Sequence, residues 1–384
     1  MRHSIERILT THVGSLPRPH DLLDMLKQRF DGSGVDEQLF AHMLNRAVEE
    51  MVAKQVEVGI DIVADGEMSK PGHAVYINER LVGFDPRPNA GLDFYEEERE
   101  AFPEFYLEYF NRAHLGAAIV PSVAMCCVGE ISYVGHEALR VDLENLKSAI
   151  GKFGCTEAFM PCAAVTGVGF NEHYETEESY LFAVADALSE EYRAIIDAGL
   201  LLQVDDPFMP NIYMDRSLEE PERIAKVSLY VEAINHSLKG IPEEKIRFHT
   251  CYGINQGPRI HEPDLPRMIN QVLAVNAGAY SFEAGNPRHE HEYHLWENVK
   301  LPEGKIIIPG VVTHSTSVVE HPDYVAERIV RFAERVGREN VIAGVDCGFS
   351  SQATYKTEVE PRIVWAKLGA LCEGARIASE VLWP

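Results

Sequence analysis

Short runs of apolar residues alternate along the chain with longer stretches in which apolar residues recur every three or four positions. The first kind reads as strands buried on both faces, the second as helices packed against them, and together they describe a parallel sheet covered by helices. Eight apolar runs stand out: ILTTHVGS (8–15), IDIVADGE (60–67), FMPCAAV (159–165), LLQVDDP (201–207), IRFHTCYG (246–253), AYSFEAGN (279–286), KIIIPGVVTH (305–314) and VIAGVDCG (341–348). Amphipathic helices are predicted between them, among them 36–58 and the segments ESYLFAVADALSEEYRAIIDAG, EPERIAKVSLYVEAINHSLKG, DLPRMINQVLAVNAG, HPDYVAERIVRFAERVG and PRIVWAKLGALCEGARIASEVL. Eight such units, with no phosphate-binding glycine fingerprint after the first strand, predict an α/β fold of the (β/α)8 TIM-barrel class. The stretch 82–135, rich in Pro, Gly and aromatics, breaks the rhythm and reads as an inserted excursion after the second βα unit, a hairpin with a helix. Residues 1–384 are otherwise read as a single domain.

Barrels of this class carry their chemistry at the C-terminal ends of the strands, and here those ends are unusually polar. They hold His12, Gly14 and Ser15; Asp65 and Glu67; Thr166; Asp205 and Asp206; His249 and Cys251; Glu283; His314 and Ser315; Asp346 and Cys347. His249 and Cys251 are two apart on one strand, so their side chains share a face, and an imidazole beside a thiolate suits a borderline-soft ion such as Zn²⁺. Cys347 and Glu283 end later strands at the same height and complete a candidate metal set. Cys126, Cys127, Cys155, Cys162 and Cys372 have no such company and read as packing. His289 to Glu292, in NPRHEHEYH, offer ligand types, but neighbouring residues diverge on a helix or a strand, so a polar helix start is the expected role. Arg288, on the loop after Glu283, is a candidate clamp for a substrate anion.

Composition narrows the partners. Lys and Arg number 35 against 60 Asp and Glu, a formal charge of −25, which disfavours nucleic acid and anionic membrane surfaces. No apolar run is long enough for a membrane span, and MRHSIERILTTHVGS lacks a secretory pattern, so a cytoplasmic protein with reduced cysteines is expected.

Seven pieces, TTHVGSLPRP (10–19), DGE (65–67), VDDP (204–207), HTCYG (249–253), FEAGNPR (282–288), THS (313–315) and DCG (346–348), stand in one order along nearly the whole chain. In them the chain resembles the catalytic barrel of cobalamin-independent methionine synthase and its single-barrel relatives, including epoxyalkane:coenzyme M transferase. The resemblance implies a catalytic zinc on His249, Cys251, Glu283 and Cys347, in agreement with the strand ends. It also implies that Glu67, Asp205 and Ser15 bind the amino and carboxylate groups of homocysteine, and that His314 protonates the leaving nitrogen of a folate. Full-length synthases have a second barrel that this chain lacks, and the loop AGNPRHEHE replaces a shorter Thr-Ser-Arg stretch, so a methylated folate is one candidate donor among others.

Coordination to zinc deprotonates a thiol, and a site with two thiolates and a carboxylate keeps a bound sulfur nucleophilic. The expected reaction is therefore zinc-dependent alkyl transfer, foremost methyl transfer, to a small thiol activated as a zinc thiolate. Thiol addition to an epoxide, with coenzyme M as the thiol, is the alternative, and a zinc hydrolase ranks last because two thiolates disfavour activation of water. Two carboxylates, Glu67 and Asp205, favour a thiol that carries an amine.

Overall fold

The computed structural model describes residues 1–73, 75–87, 95–112, 117–253 and 256–384, less the side chain of Arg112. The first part of the chain forms β1 (Leu9–Thr10), α1 (His20–Phe30), α2 (Glu37–Val58), β2 (Ile62–Val63), β3 (Leu81–Pro86), α3 (Glu96–Ala101), α4 (Pro103–Arg112), β4 (Met125–Tyr133) and α5 (His136–Phe153). There follow β5 (Glu157–Ala163), β6 (Phe170–Asn171), α6 (Glu177–Asp197), β7 (Leu201–Asp206), α7 (Met209–Met214), α8 (Glu220–Ser237), β8 (Ile246–Thr250) and α9 (Leu265–Leu273). The chain closes with β9 (Ala279–Phe282), β10 (Ile306–Val312), α10 (Pro322–Val336), β11 (Ile342–Val345) and α11 (Pro361–Leu382).

Eight of the strands lie in the order β1-β11-β10-β9-β8-β7-β5-β2, each parallel to its neighbours. A bridge from Thr11 to Ile62 joins the two ends of that row, so the sheet closes into the barrel that the alternating pattern predicts. Side-chain alternation divides each strand between two cores. Leu9, Ile62, Phe159, Leu201, Ala279, Ile306, Ile308 and Ile342 fill the barrel's interior, while intervening residues such as Met160, Leu202 and Ile307 pack outward against the helices.

Continuing inward every second residue, the columns turn polar toward the top: Leu201, Gln203, Asp205 on β7 and Arg247, His249 on β8. The Arg247 guanidinium lies 3.8 Å from the centroid of the Phe159 ring and donates to Thr11 Oγ1 at 3.0 Å and to the His12 carbonyl at 2.9 Å. The strands are shorter than their apolar runs suggest. Most of the predicted strand ends, such as His12 to Ser15 and Asp65 to Glu67, lie beyond the ladder, and after the second strand the backbone turns through left-handed positions at Gly66 (φ 72°) and Glu67 (φ 57°).

The irregular stretch 82–135, expected as an excursion after the second βα unit, instead falls inside that unit, where β3, α3, α4 and β4 separate β2 from α5. β3 and β4 pair antiparallel, and β4 pairs parallel with β6. Two helices stand where one was expected, and residues 88–94 and 113–116 of the stretch lie outside the described residues. The helices α1 and α5 were not among those predicted. Among the described residues no helix is long and apolar enough to cross a membrane.

α2 starts at Asp36, whose carboxylate accepts from the Gln38 and Leu39 N–H groups, and ends at the left-handed Gly59. Near its end Gln55 is fully buried and ties the first two strands together. Its Oε1 accepts from the Ala64 N–H (3.0 Å) and lies 2.7 Å from His12 Nε2, and its Nε2 donates to the Ala64 carbonyl at 2.8 Å. Gln55→Leu would strand all three partners, and the protein should lose about 3 kcal/mol of stability in denaturant unfolding. A loss under about 1 kcal/mol would show that water or local adjustment replaces these bonds.

Candidate metal centre and substrate cleft

A cleft of about 770 Å³ opens over the C-terminal ends of the strands. Ser15, Glu67, Asp205, His249, Cys251 and Cys347 are on its wall, so six residues singled out in the sequence from five strand ends meet there. Further out the wall is built from the segments Tyr95–Arg99 and Ser122–Met125 of the excursion and from Phe208 and Asn211.

Each of these side chains is placed by neighbours that cannot easily move. Gly14 adopts φ 137°, and a Cβ on it would come within 2.9 Å of Pro161 Cγ and 3.3 Å of Glu67 Oε1, so the glycine makes room for that carboxylate. The carbonyl of Glu67 accepts from Arg18 Nε at 3.1 Å and Nη2 at 2.8 Å, and its N–H donates to Asp65 at 2.9 Å. Arg18 also reaches the Ser350 carbonyl at 2.8 Å, which joins the first, second and last strand ends through one guanidinium. Burial pushes the Asp65 carboxyl up to about 6. Asp205 accepts from Gln203 Nε2 at 2.8 Å, yet burial and then the nearby Glu67 charge hold its carboxyl well above the usual range. Asp206 supports the backbone and accepts from Thr166 Oγ1 (2.7 Å) and from the Phe208 and Met209 N–H groups at the start of α7.

The ligating atoms of His249, Cys251 and Cys347 all lie within 4.8 Å of one another. His249 Nδ1 is 3.0 Å from Ser281 Oγ, while its Nε2 is buried without a partner. Burial, then the charge on Arg247, bring the imidazole down to about 3, so it is neutral, the form in which histidine ligates. A hydrogen bond with Cys251, then burial, raise the Cys347 thiol well above its ordinary value. An orphaned imidazole nitrogen facing two crowded sulfurs is a donor set that a soft divalent cation would satisfy, and Zn²⁺ fits it.

Glu283 stands apart from that cluster. Its carboxylate groups instead with His314 and Asp346, again within 4.8 Å. It accepts from Arg259 Nη2 at 2.7 Å, Asn286 Nδ2 at 2.8 Å and the Tyr252 N–H at 3.2 Å. Burial brings His314 down to about 4, against the pull of Asp346. Neither Glu283 nor His314 is among the described wall residues of the cleft, and nor is Arg288, which is half-buried with its N–H bonded to Asn286 Oδ1. His289 takes part in a buried ion-pair chain, its two nitrogens 2.9 Å from Glu262 and 3.0 Å from Glu292. Burial alone would lower it, but those two carboxylates prevail and hold it at about 9.

The pattern described as the catalytic domain of cobalamin-independent synthase matches residues 8–115 and 127–363. The chain belongs to this family. Among curated relatives of this synthase-family chain, a methionine synthase of Thermococcus kodakarensis is 26% identical over 379 residues, covering 97% of this chain and 94% of that protein. A 2-hydroxypropyl-CoM lyase of Xanthobacter autotrophicus is 24% identical, covering 96% and 94%. The fold matches a B12-independent methionine synthase from Shewanella sp. W3-18-1, solved with selenomethionine, at a TM-score of 0.71 and 19% identity over 98% of this chain and 99% of that one.

Several residues escaped the sequence reading. Arg18, Gln55, Arg247 and Arg259 were not singled out: Arg18 and Arg247 act on residues remote in sequence, Gln55 lies within a helix, and Arg259 lies in an irregular loop. His73 also lines the cleft; burial lowers it to about 4, and its Nε2 has no partner.

Two tests follow from this geometry. Metal analysis after dialysis against chelator should find one zinc per chain in the native protein and none in Cys251→Ala or Cys347→Ala, while Cys126, Cys127, Cys155 and Cys372 variants keep it. Retention in both of the first two would remove the centre. Asp205 gives a pH signature. Its raised pKa means the folded state holds a proton that the unfolded chain gives up near about 4, so the native protein loses stability as pH rises above that point. Asp205→Asn, which cannot ionise, should melt like the native protein at acidic pH and above it at pH 8; a pH-independent difference would contradict the assignment.

Proposed function

We propose that this chain transfers a methyl group to the sulfur of a small amino-thiol, homocysteine foremost, at a zinc ion held by His249, Cys251, Cys347 and Glu283. The observation that carries the reading is the neutral His249 with two adjacent cysteines on the wall of a cleft that also presents Glu67 and Asp205. Three of the four proposed ligands cluster already, and Glu283 would join by giving the metal an oxygen not taken by Arg259. When bound, the zinc would supply the positive charge that strips the thiol of its proton at neutral pH.

The chain's own residues have separate roles. Glu67 and Asp205 bind and orient the ammonium of the thiol substrate, whose charge favours the ionised form of the Asp205 carboxyl that burial disfavours. Ser15 takes the substrate's carboxylate. We assign His314 the protonation of the atom that leaves the methyl group, a step that a cationic donor would not need. It requires the imidazole, held down to about 4 by burial and off the described cleft wall, to take up a proton and reach the donor once the donor binds. A methylated folate is the first donor to test, and a cleft of about 770 Å³ leaves space for a donor beside a small thiol. The whole chain acts as one cytoplasmic catalytic unit.

The relative named 2-hydroxypropyl-CoM lyase motivates a second reading, addition of a sulfonate-bearing thiol to an epoxide. The strand-end residues on the cleft wall bring two carboxylates and no Lys or Arg, which favours the amine over the sulfonate.

Zinc-loaded protein given a methylated folate should form methionine from homocysteine, and given an epoxide should leave coenzyme M unchanged; the reverse outcome would replace the first reading with the second. His314→Asn should still bind zinc and homocysteine but turn over with a folate donor roughly a hundredfold more slowly. Loss of zinc would make His314 a ligand, and an undiminished rate would remove it from the chemistry.

A further inference from the structure

The carboxylate of Glu283 is not symmetrically engaged. Its Oε2 accepts from both Arg259 Nη2 (2.7 Å) and Asn286 Nδ2 (2.8 Å), whereas among the described residues Oε1 accepts only from the Tyr252 N–H, at 3.2 Å. Arg259 is itself held on three sides. Its Nε donates to Glu262 Oε2 at 2.9 Å, its backbone N–H donates to Glu98 of α3 at 3.2 Å, and its guanidinium lies 5.4 Å from the centroid of the Tyr252 ring. The side chain is buried, and the backbone adopts φ 60°, a left-handed conformation disfavoured for a non-glycine residue. A buried cation on a strained backbone is retained here although Glu283 already has an amide donor in Asn286, so its role goes beyond satisfying that oxygen.

A carboxylate can meet a cation through one oxygen or through both, and zinc in a catalytic centre needs a position left for substrate. We infer that Arg259 is a positioning residue which, by occupying Oε2, restricts Glu283 to offering one oxygen and so keeps a position open for the incoming thiol. The inference rests on the metal reading above. Without Arg259, Glu283 Oε2 keeps only the neutral amide donor of Asn286 and can turn to the metal as a second oxygen, and a positive charge beside the cation site is gone. Both changes strengthen metal binding and oppose entry of the thiol.

The measurement compares native protein, Arg259→Met and Arg259→Lys by zinc competition against a chelator and by homocysteine titration of the cobalt(II)-loaded protein, read from its visible absorption. Arg259→Met should hold zinc at least as tightly as the native protein and bind homocysteine at least tenfold more weakly, with weaker visible absorption before thiol is added, as expected when cobalt gains a fifth donor. Arg259→Lys should fall between, because a lysine ammonium cannot fork to Glu262 and Glu283 together. If Arg259→Met does not fold, Arg259→Gln, which removes the charge and keeps a polar side chain, takes its place and should shift both affinities in the same directions. Unchanged homocysteine binding in a zinc-loaded variant overturns the inference, and so does loss of zinc, which would make Arg259 a support of the metal loop. Absence of zinc from the native protein would instead overturn the reading on which the inference stands.

Discussion

Closing eight parallel strands into one barrel forces their polar ends into a space with little water, and every charged group brought there must find a partner among groups from other strands. Arg247 inside the barrel, Arg18 between three strand ends and Arg259 behind Glu283 are three answers to that one constraint. Each guanidinium spreads several donors over carbonyls or carboxylates that are remote in sequence, which a lysine ammonium could not do with the same geometry. The atoms left without partners are then informative, because burying an unmade hydrogen bond costs about 1–3 kcal/mol. Glu67 Oε2, His73 Nε2 and His249 Nε2 are such atoms, and all three belong to residues on the cleft wall.

How much of this was legible beforehand depends on the range of the interaction. Strand order and barrel closure follow from local signals: Ile306, Ile307 and Ile308 alternate between the two cores as an apolar run on a doubly covered strand must. His249 and Cys251 could be paired because two-residue spacing on a strand fixes a common face, and Cys347 because its strand ends at the same level. The sequence could not show that Glu283 would be engaged by Arg259, since that contact spans an irregular loop with no period to read. Nor could it place Arg288, whose loop turns back through the Asn286 side chain and away from the cleft. The helices α1 and α5 were missed for a milder reason: they lie beside the least regular stretches, where the strand-and-helix rhythm gives no frame.

The chemistry of the centre depends on an order of charges as well as on positions. A neutral imidazole, two thiols and a carboxylate form an electron-rich set that favours a thiol sulfur over water as the group activated. Glu67 and Asp205 line the same cleft, and burial, then the Glu67 charge, hold the Asp205 carboxyl above its usual range, so on the proposed reading they would form the floor that meets a cationic headgroup. On the proposed reading the two parts would select different ends of one substrate, so a thiol without an amine, or an amine without a thiol, would meet only half of what the cleft provides.

The excursion reaches back to the loop that follows the His249 and Cys251 strand. The Tyr95 hydroxyl donates to the Tyr252 carbonyl, and Glu98 accepts from the Arg259 and His261 N–H groups, across sequence separations of 157, 161 and 163 residues. Contacts that far apart are among the last that a folding chain can form, because the intervening loop must close before they reward it. The barrel's local units can therefore assemble first, and the loop that follows the His249 and Cys251 strand acquires its final shape only when this distant hairpin docks. The loop beside the candidate metal centre is thus tied to a segment made well before it on the chain, and its final shape depends on a docking step between the two.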